Sequence, residues 1–141
     1  MKAFFIIALI LLSSALYAME KPSWKLFRAI ENVESSLGKT SGNVYQIQPG
    51  YVADVNRIQR KLERIDGIRR ERFSRKDVFS RIKSERMMMV YWSYYSKRII
   101  NGTSYEVLAR LHRVGFAGLR IKKTTADIYW RKVRKELLRY K

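Results

Sequence analysis

Two glutamates one helical turn apart, Glu31 and Glu34, stand at the end of an apolar stretch and run into Ser35-Ser36 and a polar segment. Before them Trp24, Phe27, Ile30 and Val33 recur at the spacing of one helix face, which predicts a helix carrying Glu34 on its last turn. Packing against Phe27, Ile30 and Tyr45 is expected to disfavour the charged form of that carboxyl, as a general acid requires. Protonating a glycosidic oxygen is the task such a group serves. By default a helix-terminal glutamate is a solvated surface residue, so this assignment needs support from elsewhere in the chain.

Other chemistries are poorly provided for. The chain has no cysteine, which removes thiolate catalysis, Cys-ligated zinc and a disulfide framework. It has one histidine, His112, too few for a zinc-hydrolase site. No metal or cofactor is therefore expected, and the chemistry must come from carboxylates. Asp54 is a second acidic candidate, but it lies among arginines on a regular helix pattern, where it offsets their charge.

Five helices and almost no strand are predicted to position these groups. Pro22-Ser23 starts the first, and Gly38 is its expected stop. Lys39 to Gly50 reads as loop or a short irregular hairpin. The second helix runs from Tyr51 to about Ile65 with Val55, Ile58, Leu62 and Ile65 inward, and Asp66-Gly67 breaks it. Arg69 to Arg75 is a basic connection. A third helix from about Lys76 carries Val78, Phe79, Ile82, Met89 and Trp92 and ends before Asn101-Gly102. Thr103 or Ser104 caps a fourth with Val107, Leu108 and Leu111 inward. Gly115 to Lys123 reads as a loop, and Thr124 or Thr125 caps a last helix, Ala126 to about Tyr140, with Ile128, Tyr129, Val133 and Leu137 on its apolar side.

The N-terminus supplies an address. Lys2, an apolar run from Phe4 to Leu12, and Ser13-Ser14-Ala15-Leu16-Tyr17-Ala18 follow the order of a cleavable signal peptide spanning residues 1–18. The apolar run is too short for a membrane anchor, which needs roughly 20 residues. Residues 19–141 then form a single domain, secreted or periplasmic, large enough to bury a core. Its apolar content of 47% argues against disorder.

Several segments together carry a resemblance. Leu26-Phe27-Arg28-Ala29-Ile30-Glu31-Asn32-Val33-Glu34-Ser35-Ser36 and Val44-Tyr45-Gln46-Ile47-Gln48-Pro49-Gly50-Tyr51 resemble the start of lysozyme-like domains. That superfamily includes goose-type lysozymes, soluble lytic transglycosylases and invertebrate-type lysozymes. Further on, Tyr105-Glu106-Val107-Leu108-Ala109-Arg110-Leu111-His112 looks like its "A.IH" helix, and Ile128-Tyr129-Trp130-Arg131-Lys132-Val133 like its terminal "YW.KV" helix. The order is right and most of the chain is covered. The resemblance implies a mostly α, lysozyme-like α+β fold with minimal β, in which Glu34 is the catalytic acid. It also implies that Tyr45, Gln46, Ile47 and Tyr129 line the substrate cleft, with His112 a packed or rim residue. Two departures stand out: only ten residues, Ser35 to Val44, separate the glutamate from Tyr45 and none is acidic, and the family's "NGG" is here Arg113-Val114-Gly115. A lytic transglycosylase manages with one glutamate as acid and then base, because the sugar's own 6-hydroxyl replaces water.

Charge bears on partners. The net charge is +18, and only Lys2 of the charged residues lies in the leader. For an exported domain such charge favours anionic cell-wall polymers or membrane surfaces. Nucleic acid is the less favoured partner despite the arginine-rich run Arg57 to Arg75. The aromatics of Tyr91-Trp92-Ser93-Tyr94-Tyr95 are assigned mainly to packing. Asn101-Gly102-Thr103 fits a glycosylation acceptor, relevant only in a eukaryotic secretory route. The expectation is a monomeric enzyme cutting peptidoglycan or a related β-1,4-linked amino-sugar polymer, or else an inactive basic protein on that scaffold which binds it.

Overall fold

A computed structural model of the protein describes residues 19, 21–37 and 42–140. The leader at 1–18 and the helix stop assigned to Gly38 lie outside the described residues. Among the described residues five α-helices follow one another: α1 (Trp24–Ser36), α2 (Pro49–Asp66), α3 (Arg81–Ser96), α4 (Tyr105–Ile121) and α5 (Lys123–Leu137). Short 3-10 turns occupy Arg75–Phe79 and Leu138–Tyr140, and the described residues contain no strand. The chain is mostly α, as its periodicity predicts.

One core holds the helices together. The α1 stripe of Leu26, Phe27, Ile30 and Val33 is buried, whereas Trp24, the first residue of the helix, is 61% exposed and sets its ring edge against Tyr140. Trp92 of α3 is fully buried with its ring 5.5 Å from that of Phe27. Helix α4 packs on α5, α5 on α1, α2 on α3, and α3 on α4. Of the aromatic run in α3, Tyr91, Trp92 and Tyr95 belong to the core, each contributing roughly 1.5–3 kcal/mol or more by burial. Tyr94 lies only partly under it.

Several local expectations are corrected. Helix α2 begins at Pro49, because proline at the first turn gives up no hydrogen bond that the helix needs. It outruns the core at its far end, so Ile65 is 59% exposed rather than inward. The predicted third helix is two elements. Ser74 and Asp77 form a capping box on the 3-10 turn, and Ser80 then caps α3 by accepting from the Lys83 N–H. That break leaves Phe79 and Ile82 exposed. Gly115 to Lys123 is helix rather than loop as far as Ile121, and α5 starts at Lys123 with no side-chain cap from Thr124 or Thr125. Ser104 does cap α4.

Gly102 lies buried in the turn between α3 and α4, where its N–H reaches the Ile99 carbonyl. A Cβ there would be driven into the Ser96 carbonyl group and stand 2.9 Å from the Ile99 carbonyl oxygen. Backbone on both sides cannot give way. Gly102→Ala is expected to cost about 3 kcal/mol or more, because forced overlap in a packed interior displaces the backbone itself. A urea denaturation midpoint indistinguishable from that of the parent would contradict this.

Candidate functional site

Glu34 sits on the last turn of α1, beside the apolar stripe that pins the helix to the core, and is 1% exposed. Its Oε1 accepts a hydrogen bond of 2.8 Å from the Tyr129 hydroxyl of α5. Its Oε2 has no hydrogen-bond partner. The Arg113 guanidinium of α4 stands 3.8 Å from Oε2 and 5.6 Å from the centre of the Tyr129 ring. Burial first, and then the charge of Glu34, hold the Tyr129 phenol well above its ordinary range, so it remains a donor. Glu31, one turn earlier, lives differently: guanidiniums of Arg28 and Arg81 close on its two oxygens.

The His112 side chain is buried beside this pair. Its Nε2 lies 2.9 Å from the Tyr45 carbonyl oxygen, which can only accept, so Nε2 carries the proton. Nδ1 has no partner. Desolvation lowers the imidazole pKa from 6.5, outweighing the opposing pull of Glu34 and the Tyr45 carbonyl. A neutral ring 3.9 Å from Glu34 Oε1 is a polar neighbour and not an ion-pair partner. His112 thus ties the segment after α1 to α4, in the packed role the sequence suggests.

Glu34 lines a cleft of about 380 Å³. One wall is the segment before α2, shaped by Asn43. The Asn43 Oδ1 accepts from the Ile47 N–H at 3.0 Å, and its Nδ2 donates to the Ile47 carbonyl at 2.9 Å. Gln46 adopts a left-handed conformation, φ 51°, and it and Ile47 line the cleft with Tyr51 and Asp54. The opposite wall comes from His112, Arg113 and Gly115. Gly115 has φ 69° and ψ 174° inside α4, a combination essentially confined to glycine. The interrupted ladder is repaired from α3, where the Tyr91 hydroxyl accepts from the Phe116 N–H at 3.1 Å.

The structure therefore brings Glu34, Gln46 and Ile47 to one cleft, while Tyr129, 3% exposed and expected to line it, meets Glu34 from the buried side and is not part of the lining. The Tyr45 side chain is not brought there either. That ring is 1% exposed, packs edge-on to Phe27, and donates its hydroxyl to Glu85 at 2.8 Å on the far side of the segment. Burying a large aromatic in the core decides its direction, and only its backbone carbonyl faces the site. Asp54 reaches the same cleft but is engaged: it accepts from Tyr95 at 2.8 Å and from the Arg57 Nε at 2.8 Å.

No family model, curated protein or solved structure matches the chain.

The sequence alone does not assign Asn43, Tyr51, Tyr91 and Arg113 to the cleft, since nothing local marks them as its members. Gly115 carries a signal, a glycine beside a helical pattern, which on its own predicts the start of a loop. Among the described residues no group of three or more histidine, aspartate or glutamate side chains could hold a metal ion.

The histidine offers a clean test. Its folded pKa lies below 6.5, so below that pH the unfolded chain takes up a proton that the folded chain refuses. Stability from this source is complete above pH 6.5 and declines as pH falls toward the folded pKa. Carboxylates held low titrate in a lower window; Asp66, hydrogen-bonded by Arg70, is at about 2. With one histidine in the chain, the urea midpoint is expected to drop between pH 7 and 5, and His112→Gln should make that slope shallower. An unchanged slope would mean that His112 is not buried neutral.

Proposed function

We propose that the protein is an exported peptidoglycan glycosidase that cuts the β-1,4 link between N-acetylmuramic acid and N-acetylglucosamine. Glu34 serves as the general acid. The observation that carries the reading is a carboxyl 1% exposed, anchored through one oxygen by Tyr129 and accepting no hydrogen bond at the other, where Arg113 stands 3.8 Å away, on a cleft also lined by Gln46 and Ile47. The order of the motifs around Glu34, Tyr45 and Tyr129, which resembles the lysozyme-like domains, supports the same reading.

In this scheme Oε2 delivers the proton to the glycosidic oxygen as the bond breaks. The resulting carboxylate then takes a proton from the acceptor, either water or the sugar's own 6-hydroxyl. Tyr129 holds the carboxyl in one orientation throughout, the kind of positioning that makes proton transfer efficient. Asp54, occupied by Arg57 and Tyr95, is left out of the bond-breaking step.

Digestion of purified peptidoglycan by the mature protein tests this beside two variants. Glu34→Gln is expected to lower the rate by a factor on the order of 100 or more, the usual contribution of a positioned acid. Asp54→Asn is expected to keep most of it. Equal clearance by parent and Glu34→Gln would remove Glu34 from the mechanism, while loss in Asp54→Asn as well as in Glu34→Gln would call for a two-carboxylate hydrolase. A second reading draws on Arg113, which already gives Glu34 a cationic neighbour at 3.8 Å: the cleft then binds the glycan without cutting it. Pull-down on insoluble peptidoglycan that survives high salt, with no soluble product released, would favour that reading, because attraction by charge alone is screened away.

The export half of the proposal has its own measurement. Protein recovered outside the cytoplasm should begin at Met19, or within a residue or two of it, and an N-terminus still at Met1 would count against cleavage.

A further inference from the structure

A larger cavity than the Glu34 cleft, about 470 Å³, opens between α2 and α3 and shares no lining residue with it. Its size falls among small-molecule sites, roughly 300–1,000 Å³. Leu62, Ile65, Met89 and Val90 supply apolar lining. It is here that Ile65, periodic with the core yet 59% exposed, finds its place. Lys61, Arg70, Lys97 and Arg98 also line the cavity, and no carboxylate does.

Tyr94 is the telling residue among them. Its hydroxyl oxygen accepts from the Lys61 ammonium and from the Arg98 guanidinium, each at 3.0 Å, and the Arg98 guanidinium also covers its ring at 4.5 Å. These two cations lower its pKa. No described residue accepts the phenol's own proton. A hydroxyl fed by two cations and lacking an acceptor presents a donor, with positive charge on either side, at the edge of an apolar cavity.

We propose that this groove is a second binding site, for a single acyl chain bearing an anionic headgroup. The chain would lie on Leu62, Ile65, Met89 and Val90, and the headgroup would accept from Tyr94, Lys61 and Arg98. Apolar burial supplies the attraction without direction, and charge-assisted hydrogen bonds select the sign of the headgroup. The site does not depend on Glu34 or on any glycan.

The methionines provide the readout. Met89 lines the groove, while Met87 and Met88 are fully buried in the core. In the full mature chain carrying carbon-13 methionine methyls, lyso-phosphatidylglycerol below its micelle concentration should shift the Met89 signal saturably, with one equivalent bound. Met87 and Met88 should hardly move. Lyso-phosphatidylcholine with the same chain should bind about tenfold more weakly, as should the anionic lipid to Tyr94→Phe and to Lys61→Glu, the scale of losing a charge-assisted hydrogen bond. Neither variant removes apolar core, and a retained urea midpoint separates lost binding from lost folding. Equal response to both lipids, an equal Met89 shift from inorganic phosphate alone, or no Met89 shift would each overturn the proposal.

Discussion

A carboxyl group buried among apolar helices is the constraint around which the rest of the molecule is arranged. Left alone, Glu34 would impose a desolvation cost that few folds could carry. The hydroxyl of Tyr129 meets one oxygen, and Arg113 and His112 stand within 4 Å of the carboxyl from α4. Each lies far along the chain from Glu34, so the C-terminal helices must dock on α1 in one register. The Tyr129 phenol stays protonated because burial and the neighbouring carboxylate both oppose its ionisation. Its donation is therefore a fixed part of the fold and not a feature of one pH.

The contrast between Glu31 and Glu34 shows how position divides two identical groups. Both stand on the buried side of α1, at 9% and 1% exposure. One is closed by two guanidiniums, the other is left with an oxygen that accepts no hydrogen bond. In a chain with 30 lysines and arginines against 12 acids, pairing is the common fate of a carboxylate. Asp54, Glu63 and Asp66 all have it. An acid that escapes full pairing is where proton chemistry has room to occur. The same imbalance leaves cations over, and Lys61 and Arg98 turn to a phenol instead of a carboxylate.

Two sites of opposite character result. The Glu34 cleft is walled by amide side chains of an irregular segment, held by the paired hydrogen bonds of Asn43 to Ile47, and by ionic side chains of the helices around it. The α2–α3 groove is apolar with a cationic rim. Aromatic packing of Tyr91, Trp92 and Tyr95 in α3 separates them with rigid side chains. Tyr91 faces the cleft side and Tyr94 the groove.

Much of this was legible in the residues alone. Five helices, the stripe of Phe27, Ile30 and Val33, the Ser104 cap and the placing of Glu34 on the last turn of α1 follow from periodicity and capping, which are local properties. Where tertiary packing had to arbitrate, local pattern misled. Ile65, Phe79 and Ile82 fit an apolar face but lie where the core does not reach, and Tyr45 follows burial rather than the cleft. Gly115 keeps α4 helical on both sides of a kink because a hydroxyl from α3 mends the break. The meeting of Glu34 and Tyr129 spans 95 residues. No window of sequence contains both, and only the packing of α5 on α1 sets the 2.8 Å between them.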